Sequence, residues 1–199
     1  MAKENKTKFA LLGVLNLNPA SGYDIKKFCD DTISHFWNEN YSHIYPVLEQ
    51  LKDEGFAEKE MEMNEGKIRN VYKITELGRQ KYIEWLGLPP EIPQERHEFL
   101  LKMFFSKDIP VASVINRLNE SKEFCKSVLI QYERFEQKMK NDLSDISKRE
   151  KGLLFWYTTV RYGILDMKAK MMWCDESLEL VKLYYTGSKE ENINEDNSI

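Results

Sequence analysis

At 199 residues, 42% hydrophobic and 31% charged, the chain is long enough for two modest domains with real cores. No apolar run reaches membrane-spanning length and the start, Met1 to Lys6, lacks the apolar stretch of a secretory signal, so a cytoplasmic protein without membrane association is expected. The net charge of −4 lacks the basicity usual in a nucleic-acid domain, and residues 1–86 hold 12 Lys and Arg against 14 Asp and Glu, so any duplex contact requires the cations to be segregated on one face.

From Lys8 the apolar residues Phe9, Leu11, Leu12, Val14 and Leu15 make the broad stripe of a largely buried first helix. Asn18-Pro19-Ala20-Ser21-Gly22 ends it, and Ser21 can cap a second short helix carrying Tyr23, Ile25 and Phe28. Residues 35–40 are too short and polar for an element. Ser42 can cap a third helix through Ile44, Leu48 and Leu51, with Pro46 in its first turn and Gly55 as its stop. Strand-like runs at 56–63 and 68–74 are joined by the turn-prone tetrad 64–67, and alternation along the second run suggests a ribbon packed on one side only. Thr75 then caps a helix through Tyr82, Trp85 and Leu86.

Three prolines within 88–93 mark a boundary. The expected organisation is a winged helix-turn-helix at 1–86, a linker at 87–94, a helical dimerisation domain at 95–187 and a tail without structure at 188–199. In the helical part, 96–105 carries Phe99, Leu100, Met103 and Phe104; 111–143 turns Val114, Leu118, Phe124, Leu129, Tyr132 and Phe135 inward; and 151–185 continues through Leu153, Trp156, Val160, Ile164, Met167 and Met171. Two helices this long cannot bury their stripes within one copy, so a second copy is expected. The fold class is mainly α with a small two-stranded β wing.

A short helix followed at once by a hairpin places one element in a major groove and the other near the adjacent backbone. The DNA-facing candidates on the third helix are Asn40, Tyr41, Ser42, His43 and Tyr45, whose polar groups can meet base edges or phosphates; Tyr45 also adjoins Ile44 and Pro46, so a core role competes. His43 can change charge near neutrality. Lys67 and Arg69 flank the wing tip, where ordinary hairpin solubility competes with phosphate contact, and Lys3, Lys6 and Lys8 could form a flexible basic arm or, equally well, an ordinary lysine-rich terminus.

Leu12-Gly13-Val14-Leu15, Ser21-Gly22-Tyr23-Asp24-Ile25, Ile44-Tyr45-Pro46-Val47-Leu48, Leu51 to Gly55, and Val71-Tyr72-Lys73-Ile74-Thr75 to Gly78 together resemble the PadR-family transcriptional regulators across about the first 86 residues. The helical half resembles that family's longer, virulence-activator-like branch. The resemblance implies a homodimer on double-stranded DNA, most often a repressor released by a small aromatic compound or another signal, in some members an activator with a partner. It adds Tyr23 as a DNA-contacting position, although a tyrosine on the second helix also packs well against the third. The wing departs from the family, which is richer in arginine there.

Trp156, Tyr157, Met171, Met172 and Trp173 could line an effector pocket, Trp156 and Trp173 foremost, although such a stripe more often forms an interface. The three cysteines suggest buried thiols rather than disulfides or a metal, and no cofactor is expected. No Gly-rich phosphate loop, paired His or Gly-x-Ser-x-Gly elbow occurs, and the best nucleophile pair that can be assembled, Cys125 with His97, has no orienting motif, so a non-enzyme is expected. The alternative function is an interaction module that docks a partner transcription factor.

Overall fold

The computed structural model describes residues 5–34, 36–37, 40–64, 67–91, 96–145 and 152–195. The chain divides into two units, Met1–Pro93 and Gln94–Ile199.

The first unit runs α1 (Lys6–Leu17), α2 (Gly22–Thr32), α3 (Tyr41–Asp53), β1 (Ala57–Asn64), β2 (Lys67–Ile74) and α4 (Glu76–Leu86). α1 is its centre: Phe9, Leu11, Leu12, Val14 and Leu15 are all buried because α2, α3, α4 and β2 all touch this helix. Ile25 and Cys29 of α2 and Ile44, Val47, Leu48 and Leu51 of α3 complete the core, and Phe9 stacks on Trp85 of α4 with ring centroids 4.7 Å apart. Burying one leucine-sized side chain stabilises by about 1.5–3 kcal/mol, so this cluster is what holds three short helices that would be marginal alone.

Three local expectations are corrected. α3 starts at Tyr41, with Asn40 rather than Ser42 at its N-cap, because the Asn40 carbonyl already accepts from His43 and Ile44 at 2.9 and 3.1 Å. Pro46 therefore sits in the second turn, where it has no N–H for the Ser42 carbonyl. The strands extend to Asn64 and from Lys67, which pair with each other, so the connection is two residues shorter than the predicted tetrad.

The wing is also not packed on one side only: the adjacent Val71 and Tyr72 are 3% and 2% exposed. Tyr72 exchanges both backbone hydrogen bonds with Ala20, at 2.9 and 3.0 Å, so Ala20 serves as a one-residue third strand and seats the base of the ribbon. Met61, Met63 and Ile68, further out, are exposed.

The second unit comprises α5 (Glu98–Phe104), a single 3₁₀ turn at Ser106–Asp108, α6 (Val111–Ser144) and α7 (Leu153–Glu195). α6 and α7 pack antiparallel, as the cross-pairs Lys122–Asp175 and Glu136–Arg161 require. One cluster joins Cys125, Tyr132, Val160, Ile164 and Met167; the other joins Val114, Leu118, Cys174 and Leu178, with Phe99 and Met103 of α5 against it. Several residues expected inward face out instead: Phe124 and Phe135 on α6, Trp156 on α7, Leu100 and Phe104 on α5. A helix with one long partner buries a single narrow seam, and the edges of a wider stripe are left uncovered. The backbone of α7 continues to Glu195, through residues 188–195 where the sequence suggests a tail, since extending a formed helix costs far less than nucleating one. Residues 196–199 lie outside the described residues.

Candidate nucleic-acid interface

The geometry of α3 follows from how its two ends are tied. At its C-terminus Gly55 adopts φ +73°, a conformation that costs glycine nothing, and this lets Gly55 N–H reach the Lys52 carbonyl at 3.0 Å and Phe56 N–H reach Leu51 at 2.8 Å. The pair of bonds is a Schellman cap that turns the chain directly into β1. Thr75 then closes the circuit: its hydroxyl donates to the Gly55 carbonyl at 2.7 Å and accepts from Gly78 N–H at 3.0 Å, while its own N–H bonds the Phe56 carbonyl at 3.0 Å. Gly78 packs so closely that a Cβ there would lie 2.0 Å from the Phe56 carbonyl oxygen. The Thr75-x-x-Gly78 spacing thus fastens the C-terminus of α3, the wing base and α4 together.

With Ile44, Val47, Leu48 and Leu51 turned inward, α3 exposes Ser42, His43, Tyr45, Pro46 and Gln50. Asn40 is exposed too, and its side chain makes no cap bond to the helix. The first turn contains no acidic residue, so the positive end of the helix dipole is not offset there. Tyr45 combines both roles weighed from sequence: it is 49% exposed, yet its ring lies over Gly22, where a Cβ would come within 2.7 Å of Cε1. Tyr23, in the first turn of α2, is 60% exposed. The side chains of Tyr41 and Lys67, and Lys3 altogether, lie outside the described residues. The structure adds Lys27, exposed one turn after Tyr23 on α2. Its i, i+4 spacing from Tyr23 was available in the sequence, but which face of α2 stays uncovered was not.

The acidic residues near this surface are largely engaged. Glu49 accepts hydrogen bonds of 2.6 Å from Lys52, Lys59 and the Tyr72 hydroxyl, bracing α3 against both strands. Those bonds, Lys52 first, then Lys59 and Tyr72, hold its carboxyl at about 2. Asp24 completes a capping box with Ser21; burial opposes its ionisation, but the Ser21 bonds and the charges of Arg69 and Lys27 prevail and keep its carboxyl below the usual range. Arg69 does not point freely from the wing tip: it pairs with Asp24 at 3.2 Å and Glu62 at 3.4 Å. Nor do Lys6 and Lys8 form an arm, since both lie in α1 and pair with Glu91 and Glu54.

In the second unit, Trp156 and Trp173 are not brought together. They lie on one helix about 25 Å apart along its axis at 1.5 Å per residue. Trp173 meets Phe99 edge to face at 5.5 Å, inside the cluster that includes Leu118 and Cys174. Cys125 is buried, and burial pushes its thiol up, away from the thiolate a nucleophile requires. All three cysteines are buried, and none forms a disulfide. Among the described residues no cluster of His, Cys, Asp or Glu could hold a metal ion, and no helix is long and apolar enough to cross a membrane.

Comparison with known proteins agrees with this architecture. Residues 11–84 match the transcriptional regulator PadR-like family, and residues 95–182 match the virulence activator alpha C-terminal domain. The negative transcriptional regulator PadR of Bacillus subtilis is 36% identical over 100 residues, 49% of this chain and 55% of that protein. The crystal structure of B. subtilis PadR in complex with operator DNA superposes with a TM-score of 0.78 at 24% identity, covering 89% of this chain and 99% of that one. The same protein with p-coumaric acid gives 0.70 at 24% identity over 88% and 98%. The Vibrio cholerae virulence activator AphA gives 0.70 at 25% identity over 89% and 98%. The wing and the capped α3 are therefore those of a PadR-like transcriptional regulator domain, and the long helical pair that follows is that of a virulence activator alpha C-terminal domain.

Proposed function

We propose that the chain is a cytoplasmic homodimeric regulator that occupies an inverted-repeat operator, most simply as a repressor. The observation that carries this is the face of α3: its apolar side is locked into the core while Asn40, Ser42, His43 and Tyr45 project outward at an end whose first helical turn has no acidic residue. Tyr23, Tyr41 and Lys67 complete the proposed contact set, and Lys27 joins it as a backbone contact. The operator complex of B. subtilis PadR supports the same use of the fold.

Homodimerisation is inferred from the second unit. Phe104, Phe155, Leu183 and Tyr184 are 82%, 68%, 72% and 72% exposed, large apolar side chains that a second copy would cover. A twofold pair would set two α3 helices about 34 Å apart, one turn of duplex. The signal is proposed to be a small aromatic compound, supported by the p-coumaric acid complex of that relative. As Trp156 and Trp173 are far apart on α7, they belong to different parts of the dimer surface or of any effector site.

The test is binding to genomic fragments followed by anisotropy on the selected sequence. Preference over random duplex is expected, with a log-log salt slope of roughly −5 if about six phosphates are neutralised per dimer. Equal binding to random duplex up to micromolar protein, or a sedimentation mass of one chain, defeats the proposal.

A further inference from the structure

We propose that Arg69 is a positioning residue that sets the pitch of the wing against α2 and α3, rather than a contact to phosphate. The inference rests on the operator-binding reading for its DNA readouts, but its structural readout does not need DNA.

The guanidinium is committed on two edges. Nη1 donates to Asp24 Oδ2 at 3.2 Å, the same oxygen that accepts from Ser21 N–H at 3.0 Å and from the Ser21 hydroxyl at 2.7 Å. Nη2 donates to Oε2 of Glu62, its cross-strand neighbour, at 3.4 Å. Nε is buried and has no hydrogen-bond partner among the described residues, so this edge faces protein rather than solvent. Three residues further along β2, Tyr72 exchanges backbone bonds with Ala20. β2 is thus fastened at two points to one short segment, Ala20 to Asp24: by backbone at the base of the wing and by a side chain nearer its tip. The Glu49 bonds to Lys59 and Tyr72, a cross-strand pair, also hold the base against α3, whereas Arg69 ties β2 three residues further out, where a two-stranded ribbon has little stability of its own with which to hold an angle.

What hangs on that angle is the reading surface. Asp24 follows the exposed Tyr23, and Gly22 lies under Tyr45, so the segment that receives Arg69 also adjoins two proposed DNA contacts. The alternative, in which Arg69 swings out to the duplex, makes Asp24 a competitor for the cation. The two readings assign opposite signs to Asp24→Asn, a change that removes the charge while leaving an oxygen able to close the capping box.

The experiment measures operator affinity against salt for the full-length wild type, Arg69→Gln, Arg69→Lys, Asp24→Asn and the Asp24→Asn/Arg69→Gln double variant. Alongside, hydrogen exchange is followed on the free proteins. Positioning predicts that Arg69→Gln and Asp24→Asn each weaken binding by roughly tenfold and that the double variant is no worse than either. It also predicts an unchanged salt slope, no full restoration by lysine, which cannot span two carboxylates as a planar fork does, and faster exchange across β1 and the outer part of β2. Tighter binding by Asp24→Asn, a slope shallower by about one per lost contact in Arg69→Gln, or full activity of Arg69→Lys would overturn it. Unchanged exchange in the wing would overturn it even if no DNA bound, whereas a wild type indifferent to operator defeats the operator reading alone.

Discussion

Gly22 on α2 lies under the ring of Tyr45 on α3, so closely that a Cβ at Gly22 would stand 2.7 Å from Cε1 and 2.9 Å from Cζ. The ring is about half exposed and can swing aside. Gly22→Ala should therefore alter global stability by less than about 1 kcal/mol, because the gain in helix propensity offsets the lost contact. Operator affinity should fall by about tenfold, since the displaced ring leaves the reading face. Urea melts paired with anisotropy separate the two effects, and a loss of stability equal to the loss of binding energy would contradict this account.

Gly163 and Tyr132 repeat the relationship with the opposite consequence. A Cβ on Gly163 would meet Tyr132 Cζ at 2.2 Å, but Tyr132 is 5% exposed between α6 and α7 and has nowhere to go. Gly163→Ala is expected to cost about 2–3 kcal/mol as overpacking. Tyr132→Leu in the same chain should recover part of that loss, read by thermal melting of the second unit.

Gly78 is the least replaceable residue of the wing base, because its neighbour is a backbone carbonyl at 2.0 Å rather than a side chain. Gly78→Ala should destabilise the first unit by about 3 kcal/mol, at the upper end of overpacking losses. Thr75→Ala, which removes the cap and the bond to Gly55, should cost about 1 kcal/mol. If the two variants melt alike, the steric explanation for Gly78 is wrong.

The carboxylates that brace the fold make it acid-sensitive. Glu49 has its carboxyl lowered from 4.5 to about 2, and Asp24, Glu54 and Glu136 are lowered as well. A lowered native value means stabilisation that is complete above the unfolded value near 4.5 and is lost as pH falls toward 2. Melting temperature should be flat from neutrality to about pH 5 and decline below it. Glu49→Gln should lower it at neutral pH yet flatten the acid decline, modestly, because the site is partly solvated. A decline of equal steepness in that variant would remove Glu49 from the explanation.

All three thiols are buried, and Cys125 is further pushed up by its surroundings. The native protein should react with an aromatic disulfide reagent only at its unfolding rate, releasing three equivalents at once in denaturant. A fast native phase would place at least one thiol at the surface.

Much of this architecture could be read directly from the chain, because each signal was local. A helical stripe such as Phe9 to Leu15, a cap such as Ser21, a stop such as Gly55 and the Thr75 cap before Gly78 act within a few residues, and backbone stereochemistry restricts them wherever they occur. The partners of charged and aromatic side chains were not local. Arg69 looked like a wing-tip cation until Asp24, 45 positions away, was found beside it. Phe124 and Phe135 look like seam residues by periodicity, and only the position of α7 leaves them uncovered. Sequence by itself determined the order of the helices and strands up to the end of α7, to within a few residues at their ends, and the family they resemble, since those depend on short-range propensity and spacing. Tertiary structure alone decided which cations are already engaged and which apolar faces remain bare, because pairing and burial depend on what the rest of the chain brings alongside.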